Sequence, residues 1–305
     1  MLEIIRNAFL TGNDRARDWM KIAAPSPTEL SQAATTIRAE ESFLRRRLQG
    51  GPVRPVVEDS GFLTFQMLVP AHAARAGDVD FHLVPLNIFL VPHYFVTLSA
   101  EPLAFLDTII RPEAPIRRWE LILRIAKEIA LRYVHMARDV ARETESIEAE
   151  LKVAQRHHVI YRALAINDRL LQLDMGLLQL EYVIDEMRER MPKDSPSFME
   201  EFTDARIEIR QAREQVDLEQ QTLNEIMDAY TYIIHNNVNH IFKFMAALII
   251  LASIPIIVCD SASMNVPLGS FRTSSWGFPL DVGFLLLVEA ITAWLFYRKG
   301  WLTLG

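Results

Sequence analysis

The chain has 305 residues, half of them hydrophobic and 23% charged, too apolar for a disordered segment and too charged for a protein embedded throughout in a membrane. With 39 acidic against 32 basic side chains the formal net charge is −7, which leaves no basic footprint for DNA or RNA and excludes nucleic acid as a partner. A single cysteine, Cys259, excludes an intrachain disulfide.

The opening segment MLEIIRNAFLTGNDRARDW has no signal-peptide apolar run, so residues 1–240 are expected in the cytosol. Residues 1–112 mix helix and strand signals and are expected to form an α/β domain. A Thr28 cap, Glu29 and the stop at Gly50-Gly51 predict one amphipathic helix between Pro27 and Leu48. Aromatic and β-branched runs predict strands at Phe62–Val69 and Phe81–Leu90, and after a turn at Pro92 a third at Tyr94–Leu98.

From Arg117 to Met191 the period changes to 3.6, in long stretches rich in Ala, Leu, Glu and Arg. Residues 113–240 therefore read as a helical and stalk region. The acids along Arg138–Glu150 and Glu181–Glu189 are expected to form solvated helix faces. Asp194, Ser195 and Pro196 form a start signal, with Glu200 and Glu201 placed in the first turn. No further proline occurs until Pro255, so one helix of about sixty residues, roughly 90 Å long, is predicted.

The apolar excess lies in residues 241–305, where spans at about 241–259 and 278–297 predict a transmembrane hairpin in a lipid bilayer. Lys243 precedes the first span and Arg298-Lys299 follow the second, while the connection between them carries only Arg272. Both termini are thus expected in the cytoplasm. Trp276, Trp294, Tyr297 and Trp301 suit the headgroup layer at the ends of the second span.

Steps of seven from Asp228 give His235, Phe242, Ile249 and Ile256, and the companion set is Tyr232, Asn239, Ala246, Ser253 and Asp260. Together they form one heptad seam. Its polar members do not suit a lipid-facing stripe, and parallel copies around an axis would enclose them in a passage with oxygen ligands for hard cations. A coiled-coil oligomerisation helix with a polar register residue gives the same spacing.

After Asp260 come Ser261, Ala262, Ser263, Met264 and Asn265, a short loop, Trp276-Gly277-Phe278-Pro279, the second span and the basic end Tyr297-Arg298-Lys299-Gly300-Trp301-Leu302. This order resembles the CorA family of divalent-cation channels, whose signature is Gly-Met-Asn at the outer end of the first of two C-terminal spans. Asn239 with Phe242-Lys243-Phe244 is similar to the family's approach to the membrane, and Trp19–Leu30, Arg54–Glu58 and Tyr94–Leu106 look like family segments. The resemblance implies a CorA-like funnel: a homopentamer in the inner membrane, with the α/β domain on long stalk helices.

Ser263, Met264 and Asn265 would then form the selectivity filter, here a Ser-Met-Asn variant. The seam residues Asn239, Phe242, Ala246, Ile249, Ser253, Ile256 and Asp260 would line the pore and Asn265 would meet the ion; Asp260, about one turn inside the filter, is expected either to bind the ion directly or to sit at the headgroup layer, paired to Arg272 or solvated. Asp204 falls near the family's regulatory acids, although a solvated acid beside Glu200, Glu201 and Glu208 explains it equally. No permanently bound cofactor is expected; Mg²⁺ or another divalent cation would be the transported and regulatory ion.

Ser263 stands where the family has Gly, and Val266–Ser275 lacks the family's loop acid. Zinc transport, broad cation selectivity or a non-conducting membrane-anchored sensor are therefore the alternatives. Glu289, an acid inside the second span, is expected to pair with Ser253 or another group of the first span, or to be protonated. A Gly-rich phosphate loop, a nucleophile elbow and zinc-type Cys/His spacing are all missing from the sequence, so no catalytic residue is assigned.

Overall fold

A computed structural model of the chain describes residues 2–6, 8–9, 18–49, 53–59, 62–72, 81–109, 116–153, 157–190, 196–264 and 275–303. Two compact units divide it, Met1–Glu225 and Ile226–Gly305. The first unit is built on a six-stranded sheet of β1 (Leu2–Ile5), β2 (Asp18–Ala23), β3 (Val56–Asp59), β4 (Phe62–His72), β5 (Phe81–Leu90) and β6 (Tyr94–Ser99), in the order β1-β2-β6-β5-β4-β3. Only the β2–β6 pair is parallel.

Alternation along the strands creates two apolar faces. Met20, Ile22, Phe89, Val96 and Leu98 share one cluster with Leu30, Ala33, Ala34 and Ile37 of α1 (Pro27–Ile37) and Leu44 of α2 (Glu41–Leu48). Trp19 and Phe95 alternate with that set; their rings meet edge to face at 6.1 Å, and the Trp19 indole donates to Thr97 Oγ1 at 2.9 Å. A short helix, α3 (Phe105–Ile109), precedes two long ones, α4 (Arg118–Val153) and α5 (His157–Arg190). Phe65 of β4 meets Trp119 of α4, and Gln179 of α5 donates to the Gln66 carbonyl.

Tyr133 of α4 is fully buried and its hydroxyl donates to the Leu68 carbonyl at 2.9 Å. Burial pushes its phenol above the usual range. Behind that ring stands Gly176 of α5, where an added Cβ would overlap Tyr133 Oη and lie 2.8 Å from Cζ. Here glycine is required by the close approach of two helices rather than by its backbone angles.

The single helix predicted from Pro27 to Leu48 is two. Arg38 adopts the left-handed conformation, at φ 60° and ψ 39°, ends α1 and reverses the chain into α2. The cap is Ser26 and not Thr28: Ser26 Oγ accepts from the Glu29 amide and Glu29 Oε2 accepts from the Ser26 amide, a reciprocal capping box. Ser26→Ala should lower the stability of the full-length protein by about 1 kcal/mol in denaturant unfolding. Glu29→Gln, which keeps the reciprocal bond, should lower it less.

Arg47 is buried beneath this turn at 1% exposure. Its Nη2 donates to the Arg54 carbonyl at 2.9 Å and its Nη1 to Asn87 Oδ1 at 3.4 Å, while the side-chain amides of Gln66 and Asn87 both donate to the Arg47 carbonyl. Burial holds its guanidinium down to about 10.

The acidic stretches of α4 and α5 do not form simple solvated faces. Glu143 pairs with Arg169 at 2.5 Å, both nearly enclosed at 12% and 13% exposure, and Glu150 pairs with Arg162 at 2.9 Å. Arg213 Nη1 reaches Glu181 at 2.9 Å and joins α5 to the long helix α6 (Pro196–Ser263). Glu200 and Glu201 lie in its second turn, because α6 begins at Pro196; Asp194 and Ser195 are outside the described residues. The last element, α7, spans Gly277–Arg298.

Candidate functional site

Two helices among the described residues, α6 and α7, are long and apolar enough to cross a membrane. Along α6 burial follows a strict repeat. Phe202, Ile209, Val216, Leu223 and Tyr230 are buried, and in further steps of seven Asn237, Phe244, Leu251 and Val258 are half-buried. An α-helix of 3.6 residues per turn drifts about 20° per heptad, so a stripe that keeps its side of the helix over this length marks a 3.5-residue repeat and left-handed supercoiling.

The seam lies on the opposite face. Asn239, Phe242, Ala246, Ile249, Ile256 and Asp260 are exposed and Ser253 is half-buried. Asp228, His235 and Tyr232, nearer the start of the repeat, are exposed as well. One copy of the chain therefore covers one face of α6 and leaves Asn239 and Asp260 of the polar line exposed, with Ser253 half-buried between them.

Backbone chemistry along this face is largely satisfied. Ser253 Oγ donates to the Ile249 carbonyl at 2.7 Å, and so keeps its lone pairs available outward. Pro255 lies inside the helix and has no N–H for the Leu251 carbonyl one turn before it. At the helix end the Ser263 hydroxyl and the Met264 amide both donate to the Asp260 carbonyl, at 2.8 Å and 3.2 Å. Ser263 closes α6 in ordinary helical geometry, without the positive φ that a glycine would allow. The third filter residue, Asn265, lies outside the described residues.

The acids are placed as follows. Asp260 is exposed, and its carboxylate has no hydrogen bond or ion pair among the described residues. Glu289 of α7 is half-buried with Oε2 unpartnered among the described residues. The expected Ser253–Glu289 bond is not made, because the serine hydroxyl is taken by its own backbone. In the first unit Asp204 is 54% exposed and stands 3.7 Å from Lys127 Nζ. Among the described residues no three His, Cys, Asp or Glu side chains come together to hold a metal. The Lys127 contact was not legible in the sequence, since the two residues belong to different helices.

The family of CorA-like Mg2+ transporter proteins matches residues 18–298. The chain belongs to this family. The complete CorA magnesium transporter from Methanocaldococcus jannaschii superposes with a TM-score of 0.78 at 19% identity, over 96% of this chain and 93% of that one. A full-length CmaX protein gives 0.67 at 13% identity, over 95% and 90%. The ZntB cytoplasmic domain from Vibrio parahaemolyticus gives 0.56 at 12% identity, over 72% and 88%. Among curated proteins none matches the sequence at a significant level. These likenesses show the shared fold of this CorA-like membrane protein: an N-terminal α/β domain, long helices and two C-terminal apolar helices.

Proposed function

We propose that this CorA-like protein is a homopentameric channel of the inner membrane that passes divalent cations, Mg²⁺ first, through a central pore lined by the α6 seam, with both termini in the cytoplasm. The observation that carries the reading is the two-faced α6: a covered stripe in strict heptads, backed by a polar line of exposed Asn239 and Asp260 with half-buried Ser253 between them. Rings of neutral oxygens at Asn265 and Ser253 suit an ion that keeps its water, because Mg²⁺ dehydrates reluctantly. Transport is passive, driven by about 4.6 kcal/mol per 100 mV for a doubly charged ion. Asp204, bare on the first unit, serves as a regulatory ligand between neighbouring copies.

Purified protein in liposomes, tested with Mg²⁺, Zn²⁺ and K⁺, decides the matter. Mg²⁺ uptake should exceed K⁺ uptake and fall at least about tenfold, ~1.4 kcal/mol, with Asn265→Ala. A preference for Zn²⁺ would favour zinc transport, the reading supported by Ser263 in place of glycine and by the ZntB likeness. No flux for any cation would make the chain a non-conducting sensor.

A further inference from the structure

α5 carries two apolar stripes. Val159, Ala163, Ile166, Leu170, Leu173, Leu177 and Leu180 are buried within the first unit. On another side of the same helix Tyr161, Leu164, Leu171, Met175, Leu178 and Tyr182 are bare, at 42% to 74% exposure. Their spacing alternates threes and fours, with Asp168 filling the one vacant place in the series. This is the a/d pattern of a helix that expects a second helical surface. At ~200 Å² per side chain the bare stripe presents about 600 Å², the upper end of what a monomer ordinarily shows and most of the ~800 Å² that each partner gives a standard interface.

Charge identifies the surface that fits. Asp168 is exposed and has no ion-pair partner among the described residues. The exposed side of α4 carries Leu131, His135, Arg138 and Arg142, a face with basic heads on long aliphatic stems. The contacts Glu143–Arg169 and Glu150–Arg162 fix the antiparallel register of α4 and α5. In that register Arg142 stands two residues, about 3 Å, from the level of Asp168, and Arg138 one residue from the level of Met175. Arg142 has only a surface contact to Asp139 at 2.8 Å and is 75% exposed, a pair weak enough to exchange.

Rotation about an axis parallel to these helices leaves every residue at its own height. We infer that the bare α5 stripe of one copy packs on the basic α4 face of the next, with Asp168 paired to Arg142 of the neighbouring copy. The contact is heterologous: two different faces of the same chain meet, and repetition closes a ring instead of a two-fold dimer. It rests on the oligomeric reading proposed above and adds to it a contact between the first units of neighbouring copies.

Two forms of the full-length protein in a Cys259→Ser background test this, one with Asp168→Cys and the other with Arg142→Cys, distinguished by tags of different size. They are co-expressed, purified in mild detergent through one tag and oxidised. Co-purification of both forms and a disulfide band joining one chain of each kind are expected, with loss of the band on reduction. A mixed particle that gives no such band, or only Asp168→Cys homodimers, overturns the contact and leaves the oligomer standing. Failure of the two forms to co-purify overturns both. Charge reversal supplies the second measurement: Asp168→Arg should lower the temperature at which the particle dissociates, and adding Arg142→Asp should restore at least half of the loss. No restoration overturns the pairing.

Discussion

Gly176→Ala should destabilise the first unit by about 3 kcal/mol in chemical unfolding of the full-length protein, despite the ~1 kcal/mol that alanine ordinarily gains over glycine inside a helix. The reason is local. The new methyl would overlap the Tyr133 hydroxyl, and the ring, fully buried, cannot retreat without breaking its bond to the Leu68 carbonyl and leaving its hydroxyl unpaired. Tyr133→Phe removes the overlapping oxygen, so the double variant should lose less than the sum of the two single changes. An additive double variant would mean that the α4–α5 approach is not limited by this ring.

Asp260→Asn should lower the ratio of Mg²⁺ to K⁺ flux in liposomes by about tenfold, ~1.4 kcal/mol, while leaving assembly intact. The substitution keeps the size of the side chain and its ability to accept hydrogen bonds, and removes one negative charge per copy. In a narrow passage lined with carboxylates the local concentration of cations rises by one to several orders of magnitude, and doubly charged ions gain most. The Asp260 carboxylate meets no cation among the described residues, so nothing there competes with an ion for it. Unchanged ion preference would place this carboxylate away from the route of the ion.

Much of this architecture was readable from spacing. Phe81–Leu90 was predicted with the bounds the strand has, and Pro196 and the long apolar run located α6. These signals depend on residues close in sequence. The edge strands Leu2–Ile5 and Val56–Asp59 are too short, at four residues each, to show alternation. The break between α1 and α2 was hidden because Arg38, without glycine or asparagine to announce it, takes the left-handed conformation. Pairings such as Glu143 with Arg169 join residues on different helices, which charge patterning along one helix cannot reveal.

At the candidate site the seam was legible because a heptad needs only one strand of sequence to be seen. Its covered counterpart, from Phe202 to Val258, was equally present in the sequence and is apolar or aromatic at every step except Asn237, but which of two heptad stripes is covered depends on residues distant in sequence. Ser253 was one of the partners expected for Glu289, because both are polar within apolar spans. The serine instead satisfied itself locally, the cheapest solution for a hydroxyl on a helix.

Pro255 has a mechanical consequence. A helix resists bending because each turn is stapled to the previous one, and at this position a staple is missing. The last eight residues of α6, with Ile256, Asp260 and Ser263 on them, are thus joined to the rest by a softer joint than any other stretch of the rod. Tilting at that joint swings Asp260 and the helix end as one piece and leaves Asn239 and Ala246 in place.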